Sequence, residues 1–283
     1  MPSVLRRVAP ADMPAIRELR LSVGWQAHDW ALRAAMEPPH AAFFGIEEDR
    51  RLVAIGSGIA YGPLGIVGNM VVVPDRRRRG FGSHILREVL AFLEERGARR
   101  IELYATPDGR RLYERFGFTR LATGSMIELD RERALAAGDP DYEVRHAQPG
   151  DLSMIGAYDL PRYGGDRMPV LRGAVSDPAR PAVLALRGGE LGGFAVLRPA
   201  GTRLGPWVAD DTRSAGALLA AIATDLPPDA VVATMIPGEN EGGRSWLAEL
   251  GATSRPMGGR MARGTDVARR LDTIYGNVMG ALG

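Results

Sequence analysis

The spacing of apolar residues changes several times along the first 130 residues, and each change predicts a new structural element. Residues 66–73 are mostly apolar and rich in Val, which is typical of a buried strand. In 82–96, by contrast, apolar residues recur at helical spacing and predict an amphipathic helix. The same criteria predict strands at 4–8, 41–47, 52–60, 100–105, 118–123 and 125–129, and helices from 13, before 38 and at 108–115. This order predicts an α/β fold with a mixed, splayed, mostly antiparallel sheet flanked by helices.

A second copy of the pattern follows a polar stretch with Gly and Pro that predicts a linker. Pro149 and Asp151 follow a short strand as Pro10 and Asp12 do, and each pair opens a predicted helix. A Pro-x-Asp helix start is common on its own, but similar segments in the same order favour a tandem repeat. The repeated strands and strand–helix join are 182–186, 192–197, 204–209 and 216–223. The expected bounds are domain 1–130, linker 131–141 and domain 142–283.

The composition excludes several classes of function. The chain has no Cys, which rules out disulfides, thiol nucleophiles and cysteine-ligated zinc. All 36 Lys and Arg residues are Arg, which rules out chemistry at a lysine amine. The net charge of +2 does not demand a nucleic-acid or membrane partner, and no apolar run approaches the ~18 residues of a membrane span. With no signal peptide visible, we expect a soluble cytoplasmic protein that binds neither nucleic acid nor a membrane.

The join between the Val-rich strand and the amphipathic helix resembles an anion-binding loop. Pro74 ends the strand, four arginines follow, and Gly80 and Gly82 precede the helix. Free N–H groups at a helix N-terminus attract anions, and glycine lets the backbone approach a phosphate closely. The alternative is a solvated basic loop at Arg76 to Arg79. The loop is neither Gly-x-Gly-x-x-Gly, because the third glycine is missing, nor a Gly-Lys-Ser/Thr phosphate loop.

A second motif lies at the last predicted helix of the first half. Residues 106–118 read Thr-Pro-Asp-Gly-Arg-Arg-Leu-Tyr-Glu-Arg-Phe-Gly-Phe. Together with Arg77-Arg78-Arg79-Gly80-Phe81-Gly82, this segment resembles the signature regions of the GCN5-related N-acetyltransferases (GNAT). Thr106 and Gly109 depart from the Asn and Ala that are usual in the family. The resemblance implies two tandem GNAT-like domains, in which the sheet splays and the loop of the first domain holds the diphosphate of acetyl-CoA.

The resemblance also implies which residues bind acetyl-CoA. The strand backbone would pair with the pantetheine amides, the loop would hold the diphosphate, and the thioester would face Tyr113. No metal is implied. The cofactor-binding residues so implied are Met70, Val71, Val72, Val73, Arg77, Arg78, Arg79, Gly80, Gly82, Ser83, Thr106 and Tyr113.

Acetyl transfer to an amine needs a neutral amine, a stabilised oxyanion and a proton for the leaving thiolate. The resemblance makes Tyr113 the general acid, a role that suits a phenol with a pKa near ~10. The general base stays open between His28, Asp29, Glu102 and a water chain. The expected acceptor-pocket residues are Trp25, His28, Asp29, Trp30 and Tyr61, although plain core aromatics would give the same pattern.

The second half lacks this chemistry. Where the first half has its arginines and two glycines, 210–218 offers two acidic residues and one glycine. Carboxylates repel a diphosphate, and Leu247 stands in the position of Tyr113. We therefore expect a degenerate copy that shapes the acceptor site, supports the first domain or makes a dimer contact. The C-terminal tail predicts one more amphipathic helix, carried by Val267, Leu271 and Ile274.

The leading hypothesis is an N-acetyltransferase that moves the acetyl group of acetyl-CoA to a primary amine of a small molecule. Direct transfer in a ternary complex is expected, because no Cys is present to carry the acyl group. The protein would act as a monomer or homodimer. The alternatives are a non-catalytic acyl-CoA-binding sensor and a transferase that uses a longer acyl-CoA.

Overall fold

The structure is a computed structural model that describes residues 3–25, 28–175, 181–198 and 201–278, with Gly280 and Leu282. Two sheets of mixed strand orientation are flanked by helices, so the predicted α/β fold class is confirmed. The chain forms two compact units. Unit 1 comprises Met1–Arg120, Met261–Val267 and Gly280–Gly283, and unit 2 comprises Leu121–Arg260 and Ala268–Met279.

The elements of the first half follow the predicted order. They are β1 (Val4–Arg7), α1 (Met13–Leu21), α2 (Asp29–Ala34), β2 (Ala41–Glu48), β3 (Arg51–Tyr61), β4 (Leu64–Val72), α3 (Phe81–Glu95), β5 (Arg100–Ala105), α4 (Arg110–Arg115), β6 (Thr119–Arg120) and β7 (Ser125–Asp130). The apolar stripe predicted for α3 is its buried face, as helical periodicity requires.

The second half repeats this order with additions. Its elements are α5 (Arg131–Ala136), β8 (Glu143–His146), α6 (Leu152–Tyr163), α7 (Met168–Val175), β9 (Ala182–Arg187), β10 (Glu190–Leu197), β11 (Arg203–Ala209), α8 (Thr212–Thr224), β12 (Val231–Ile236), α9 (Glu241–Glu249), β13 (Thr253–Pro256), β14 (Gly259–Gly264) and β15 (Ile274–Gly276). The segment expected as a linker thus begins with a helix, α5.

The prediction of a helix in the C-terminal tail is wrong. Residues 265–270 are irregular, and a single 3-10 turn at Leu271–Thr273 leads into β15. Val267 and Ile274 are buried as their apolar character predicts, but Val267 belongs to unit 1 and Ile274 to unit 2. Helical spacing of apolar residues therefore arose here from two separate burial sites.

The sheet of unit 1 has the strand order β1-β2-β3-β4-β5-β14-β6. Strands β1 to β4 pair antiparallel, whereas β4 and β5 run parallel. α3 covers one face, where a Cβ added to Gly58 would lie 3.0 Å from Val89 and one added to Gly65 would lie 3.2 Å from Leu93. Ser57 precedes Gly58 in β3, so its side chain faces the opposite side of the sheet, where α1 packs.

The sheet of unit 2 has the strand order β13-β7-β12-β11-β10-β9-β8, and β15 pairs with β11 in addition. Its central strands β11 and β12 run parallel, as β4 and β5 do in unit 1. α8 packs on β9, β10 and β11 and corresponds to α3. The core between them contains Trp207, Leu218, Ile222 and Leu247.

Each sheet contains a strand from the other half of the sequence. β14 pairs with β6 in unit 1, whereas β7 pairs with β12 and β13 in unit 2. The prediction that 118–123 and 125–129 form one closing strand pair is therefore wrong, since β6 and β7 lie in different sheets. The physical reason is the ladder: β7 is hydrogen-bonded on both edges, whereas β6 has only two residues and offers little pairing.

The internal repeat is visible in one ion pair that both units share. Arg6 donates two hydrogen bonds to the Asp12 carboxylate, at 2.9 and 2.8 Å. Arg145 donates two to Asp151, at 2.7 and 2.8 Å. These partners lower the pKa of Asp12, and that of Asp151 to about 2. The predicted correspondence of Asp12 and Asp151 is confirmed.

Candidate active site

β4 and β5 are paired at one end and diverge at the other. Only Leu64–Ile66 lie opposite β5, at Arg100 to Glu102, among the residues that the structure describes. β4 nevertheless continues to Val72, and β5 to Ala105. The edge of β4 beyond Ile66 therefore offers backbone donors and acceptors to an extended ligand that adds as a strand.

Three of the four predicted strand residues lie on this edge. Met70, Val71 and Val72 belong to the outer half of β4. Val73 lies just after the strand, and its N–H donates to the carbonyl of Val53 at 3.0 Å. Val73 can thus offer its carbonyl oxygen to a ligand, but its N–H is engaged within the sheet.

The loop after β4 leaves the first turn of α3 without a side-chain cap. Arg78 and Gly80 have positive φ, 61° and 86°, a conformation that glycine adopts at little cost. A Cβ on Gly80 would meet no atom within 4 Å, so the backbone angle rather than space favours glycine there. No side chain caps the helix from Gly80. The N–H groups of this turn, with the positive end of the helix dipole, are available to an anion such as a diphosphate.

Glu48, in β2, engages two of the four loop arginines. Arg76 donates to its carboxylate at 2.9 Å, and Arg79 donates to both of its oxygens, each at 2.9 Å. The Arg79 guanidinium also lies 5.0 Å from the ring centroid of Phe81. The Arg79 side chain thus helps to shape the loop. Binding of the cofactor by Arg79, through its backbone N–H and the charge of its side chain, stays a prediction.

Arg77 and Arg78 are exposed and carry the positive charge of the loop. Arg77 donates to the carbonyl of Val72 at 3.3 Å and lies 3.8 Å from the Asp108 carboxylate. This contact brings the loop and the start of α4 together. A Cβ on Gly82 would lie 3.3 Å from Leu112 of α4, so the glycine allows the two helices to approach.

Tyr113 lies on α4 and is 6% exposed. Its ring packs edge-on against Phe118, with centroids 5.9 Å apart, and a Cβ on Gly109 would come within 3.2 Å of it. Burial raises the pKa of Tyr113 to about 12. The phenol therefore keeps its proton throughout the physiological pH range, as a general acid must.

Thr106 lies in the turn before α4, in the place of the family's usual asparagine. Its hydroxyl oxygen accepts a hydrogen bond from the N–H of Gly109 at 3.2 Å. A short polar side chain of this kind stabilises a helix start. The substitution therefore preserves the turn that presents Tyr113.

Asp29 and His28 begin α2. Arg17 binds both carboxylate oxygens of Asp29 and lowers its pKa. A carboxylate held in this way is a weak base, which disfavours Asp29 as the group that deprotonates the amine. His28 is exposed at the N-cap of the helix.

The three predicted pocket aromatics differ in burial. Trp25 and Trp30 are partly exposed, and the Arg20 guanidinium lies 5.4 Å from the Trp25 ring centroid. Tyr61 is fully buried, and its hydroxyl donates to the carbonyl of Leu282 at 2.7 Å. Tyr61 therefore has the character of a core aromatic, whereas the tryptophans can still line an open surface.

The α1 side of the sheet carries a buried polar group that the sequence pattern did not reveal. Arg20 bonds Asn69, and Asn69 bonds Ser57. Glu102 lies on the same side of β5, where Arg100 donates to it at 3.1 Å. The available signal was an asparagine inside a Val-rich strand, because such a polar side chain must find partners when it is buried.

The corresponding join in unit 2 is closed by its own residues. Asp211 caps α8 by accepting the Ser214 N–H at 2.8 Å, so the helix start already has an anion. Asp210 is paired with Arg162. Leu247 is buried at the position that Tyr113 holds in unit 1.

The strand gap of unit 2 is also filled. β11 and β12 are paired at Arg203 and Leu204, and β15 then pairs with β11 at Trp207 and Val208. Trp207 is buried against Tyr275 of β15 and Trp246, with ring centroids 5.3 and 6.3 Å away. The edge that is free in unit 1 is thus occupied by the chain itself in unit 2.

The described part of the chain offers neither a metal-binding cluster nor a membrane-spanning helix. It contains no group of three or more His, Asp and Glu side chains placed to hold a metal ion. None of its helices combines the length and hydrophobicity needed to cross a bilayer.

Family comparisons identify the two units. The model of the "Acetyltransferase (GNAT) family" matches residues 11–118, and that of the "Acetyltransferase (GNAT) domain" matches 155–276. Together they cover most of the chain. The protein belongs to the GNAT N-acetyltransferases, and the tandem arrangement predicted from the sequence is confirmed.

Individual relatives support the same family. The chain is 27% identical over 170 residues to the uncharacterized N-acetyltransferase YitH of Bacillus subtilis (strain 168), a match that spans 58% of this chain and 57% of YitH. A candidate acetyltransferase of Pyrococcus horikoshii has a similar fold, with a TM-score of 0.81 and 20% identity over 99% of this chain and 96% of that one. A tandem GNAT protein from the clavulanic acid biosynthesis pathway has a TM-score of 0.63 and 16% identity, over 94% of this chain and 100% of that one.

Proposed function

We propose that unit 1 transfers the acetyl group of acetyl-CoA to a primary amine of a small molecule, by direct transfer in a ternary complex. One observation carries this proposal: the free edge of β4 and the uncapped start of α3 adjoin in unit 1. An extended amide chain fits the first, and a diphosphate fits the second. Coenzyme A has both.

The residues present fit the cofactor part by part. The backbone of Met70 to Val72 would pair with the pantetheine amides, and the N–H groups of Gly80 to Ser83 would hold the diphosphate. Arg77 and Arg78 would add positive charge. When bound, acetyl-CoA supplies an acetyl group activated as a thioester.

Tyr113 would donate its proton to the departing thiolate. Its burial keeps the hydroxyl protonated, and α4, which carries it, lies beside the start of α3, where Gly82 approaches Leu112. The base that frees the amine of its proton is His28, Asp29, Glu102 or a water chain in this proposal. Both carboxylates already have an arginine partner, Arg17 for Asp29 and Arg100 for Glu102.

The test is an acceptor screen with purified full-length chain, acetyl-CoA and a panel of small primary amines, polyamines and peptide N-termini. Release of free thiol with a small amine is the expected result. Release with peptides alone would overturn the acceptor class. Binding of acetyl-CoA without release for any acceptor would favour the sensor, and faster release from longer acyl-CoAs would revise the donor.

A further inference from the structure

β4 contains an irregularity beyond its last residue paired with β5. In the antiparallel ladder, Ile55 lies opposite Val71 and Ser57 lies opposite Gly68. Two residues of β4, Asn69 and Met70, therefore face one residue of β3, which is the signature of a β-bulge. The bulge lies on the free part of β4, just beyond Ile66.

The bulge places Asn69 in a backbone conformation that its side chain must help to hold. Its φ is 54°, which is uncommon for a residue other than glycine inside a strand. Asn tolerates this conformation better than most residues, but a strained φ persists only where the surroundings enforce it.

A buried chain of hydrogen bonds enforces it from the α1 side. Arg20 of α1 donates to Asn69 Oδ1 at 2.6 Å, and Asn69 Nδ2 donates to the Ser57 hydroxyl at 2.8 Å. The exposed fractions of the three side chains are 8%, 6% and 0%. Such a fully buried polar network is rigid when satisfied.

The α3 side fits the same bulge. A Cβ on Gly56 would lie 2.4 Å from Met70 Sδ and 2.5 Å from Ile85 Cγ2, so the Met70 side chain occupies the space that glycine leaves. Successive bulge residues thus anchor to opposite faces of the sheet. The backbone at 69–70 is fixed from both sides.

We propose that Arg20, acting through Asn69, is a positioning residue that fixes the bulged backbone of β4 against which the acetyl thioester lies. The inference rests on the proposed function for its catalytic consequence. It needs no contact between Arg20 and either substrate. A small displacement of backbone groups around a reacting carbonyl is enough to lower the rate strongly.

The test compares Arg20→Met, Arg20→Lys, Asn69→Gly and the double variant Arg20→Met/Asn69→Gly in the full chain. We expect Arg20→Met to lower kcat about tenfold or more, with KM for the amine and Kd for coenzyme A changed less than about threefold. Arg20→Lys should recover part of the rate. The double variant should be no slower than the slower single variant, because both changes break the same link. Exposed Arg96→Met, at the far end of α3, is the matched control.

Three outcomes would overturn the proposal. A raised amine KM with unchanged kcat would make Arg20 an acceptor-binding residue, and multiplicative effects in the double variant would separate it from Asn69. Hydrogen exchange of the β4 amides supplies a readout without turnover: Arg20→Met should speed exchange at 67–72, and unchanged exchange would also overturn it. If the wild-type protein is inactive in every assay but Arg20→Met still speeds exchange at 67–72, only the proposed function is contradicted.

Discussion

The two units present the same strand–helix join in opposite states. In unit 1, α3 starts at Gly80 without a side-chain cap, and no strand among the described residues pairs with the outer half of β4 on its β5 side. In unit 2, Asp211 caps α8 and β15 covers the outer part of β11. The two joins occupy corresponding places in similar sheets, and they differ in whether the chain satisfies its own backbone groups.

This difference separates folding from binding. The ion pairs Arg6–Asp12 and Arg145–Asp151 are nearly identical in the two units, because both serve the helix start that the fold needs. A join that leaves N–H groups unsatisfied gives up stability that a cap supplies, typically ~1 kcal/mol. Unit 1 retains that unsatisfied start, which a bound anion would compensate.

The largest expected effect comes from removing the acid that unit 1 has and unit 2 lacks. Tyr113→Phe should lower kcat roughly a hundredfold to a thousandfold, because general acid catalysis contributes on this scale. Binding of coenzyme A should stay within about threefold, since the ring is retained. Steady-state kinetics measure kcat, and titration calorimetry measures coenzyme A affinity. Tyr142→Phe, at a partly buried tyrosine of unit 2, is the matched control and should have wild-type rates.

Making the first join resemble the second should weaken cofactor binding strongly. Gly80→Asp would place a carboxylate at the uncapped start of α3, where it would repel the diphosphate. We expect coenzyme A affinity to fall about a hundredfold, or ~2.7 kcal/mol. Gly80→Asn introduces a side chain of the same size as Asp without its charge, and it should lower coenzyme A affinity clearly less. Equal losses in the two variants would mean that charge at this position is irrelevant.

The pH dependence should reflect the buried environment of Tyr113. Burial raises its pKa to about 12, so the protonated acid is present below that pH and is lost only as pH rises through it. An ordinary tyrosine with a pKa of ~10 would be half deprotonated at pH 10. The kcat profile should therefore show no loss from this group between pH 8 and 10.5. An alkaline limb near pH 10 that disappears in Tyr113→Phe would contradict the raised pKa, and a limb that persists in that variant would belong to another group.

The smallest effect is expected from opening the cap of unit 2. Asp211→Ala should destabilise the fold by about 1 kcal/mol, whereas Asp211→Asn should be nearly neutral because Asn caps equally well. Thermal unfolding measures both. No second coenzyme A site should appear, because β15 still fills the strand gap. A new site in Asp211→Ala would show that the cap alone closes this join.

Local pattern was sufficient to predict most elements, including the strand and the helix that flank the arginine-rich loop. The Val-rich run and the helical stripe after it decide burial by themselves, and they became β4 and α3. Pro10-x-Asp12 and Pro149-x-Asp151 encode short-range capping contacts, so the amino-acid pattern alone was enough to indicate the repeat. Tyr113 was found by its motif, and whether it acts as the acid stays a prediction.

Contacts between segments distant in the sequence could not be predicted from local pattern. Glu48 binds Arg79 across 31 positions, and no charge pattern in the loop distinguishes this arginine from its neighbours. The exchange of β7 and β14 between sheets depends on which edges compete for a partner. The role of Asn69 depends on Arg20, which lies 49 positions away on another element.

The stoichiometry of acetyl-CoA binding to the full chain tests the central claim most directly. Titration calorimetry should give one site per chain, whose affinity Gly80→Asp lowers about a hundredfold and Asp211→Ala leaves unchanged. Two sites in the wild type, or a single site whose affinity Gly80→Asp does not change, would contradict the assignment of an open join to unit 1 and a closed join to unit 2.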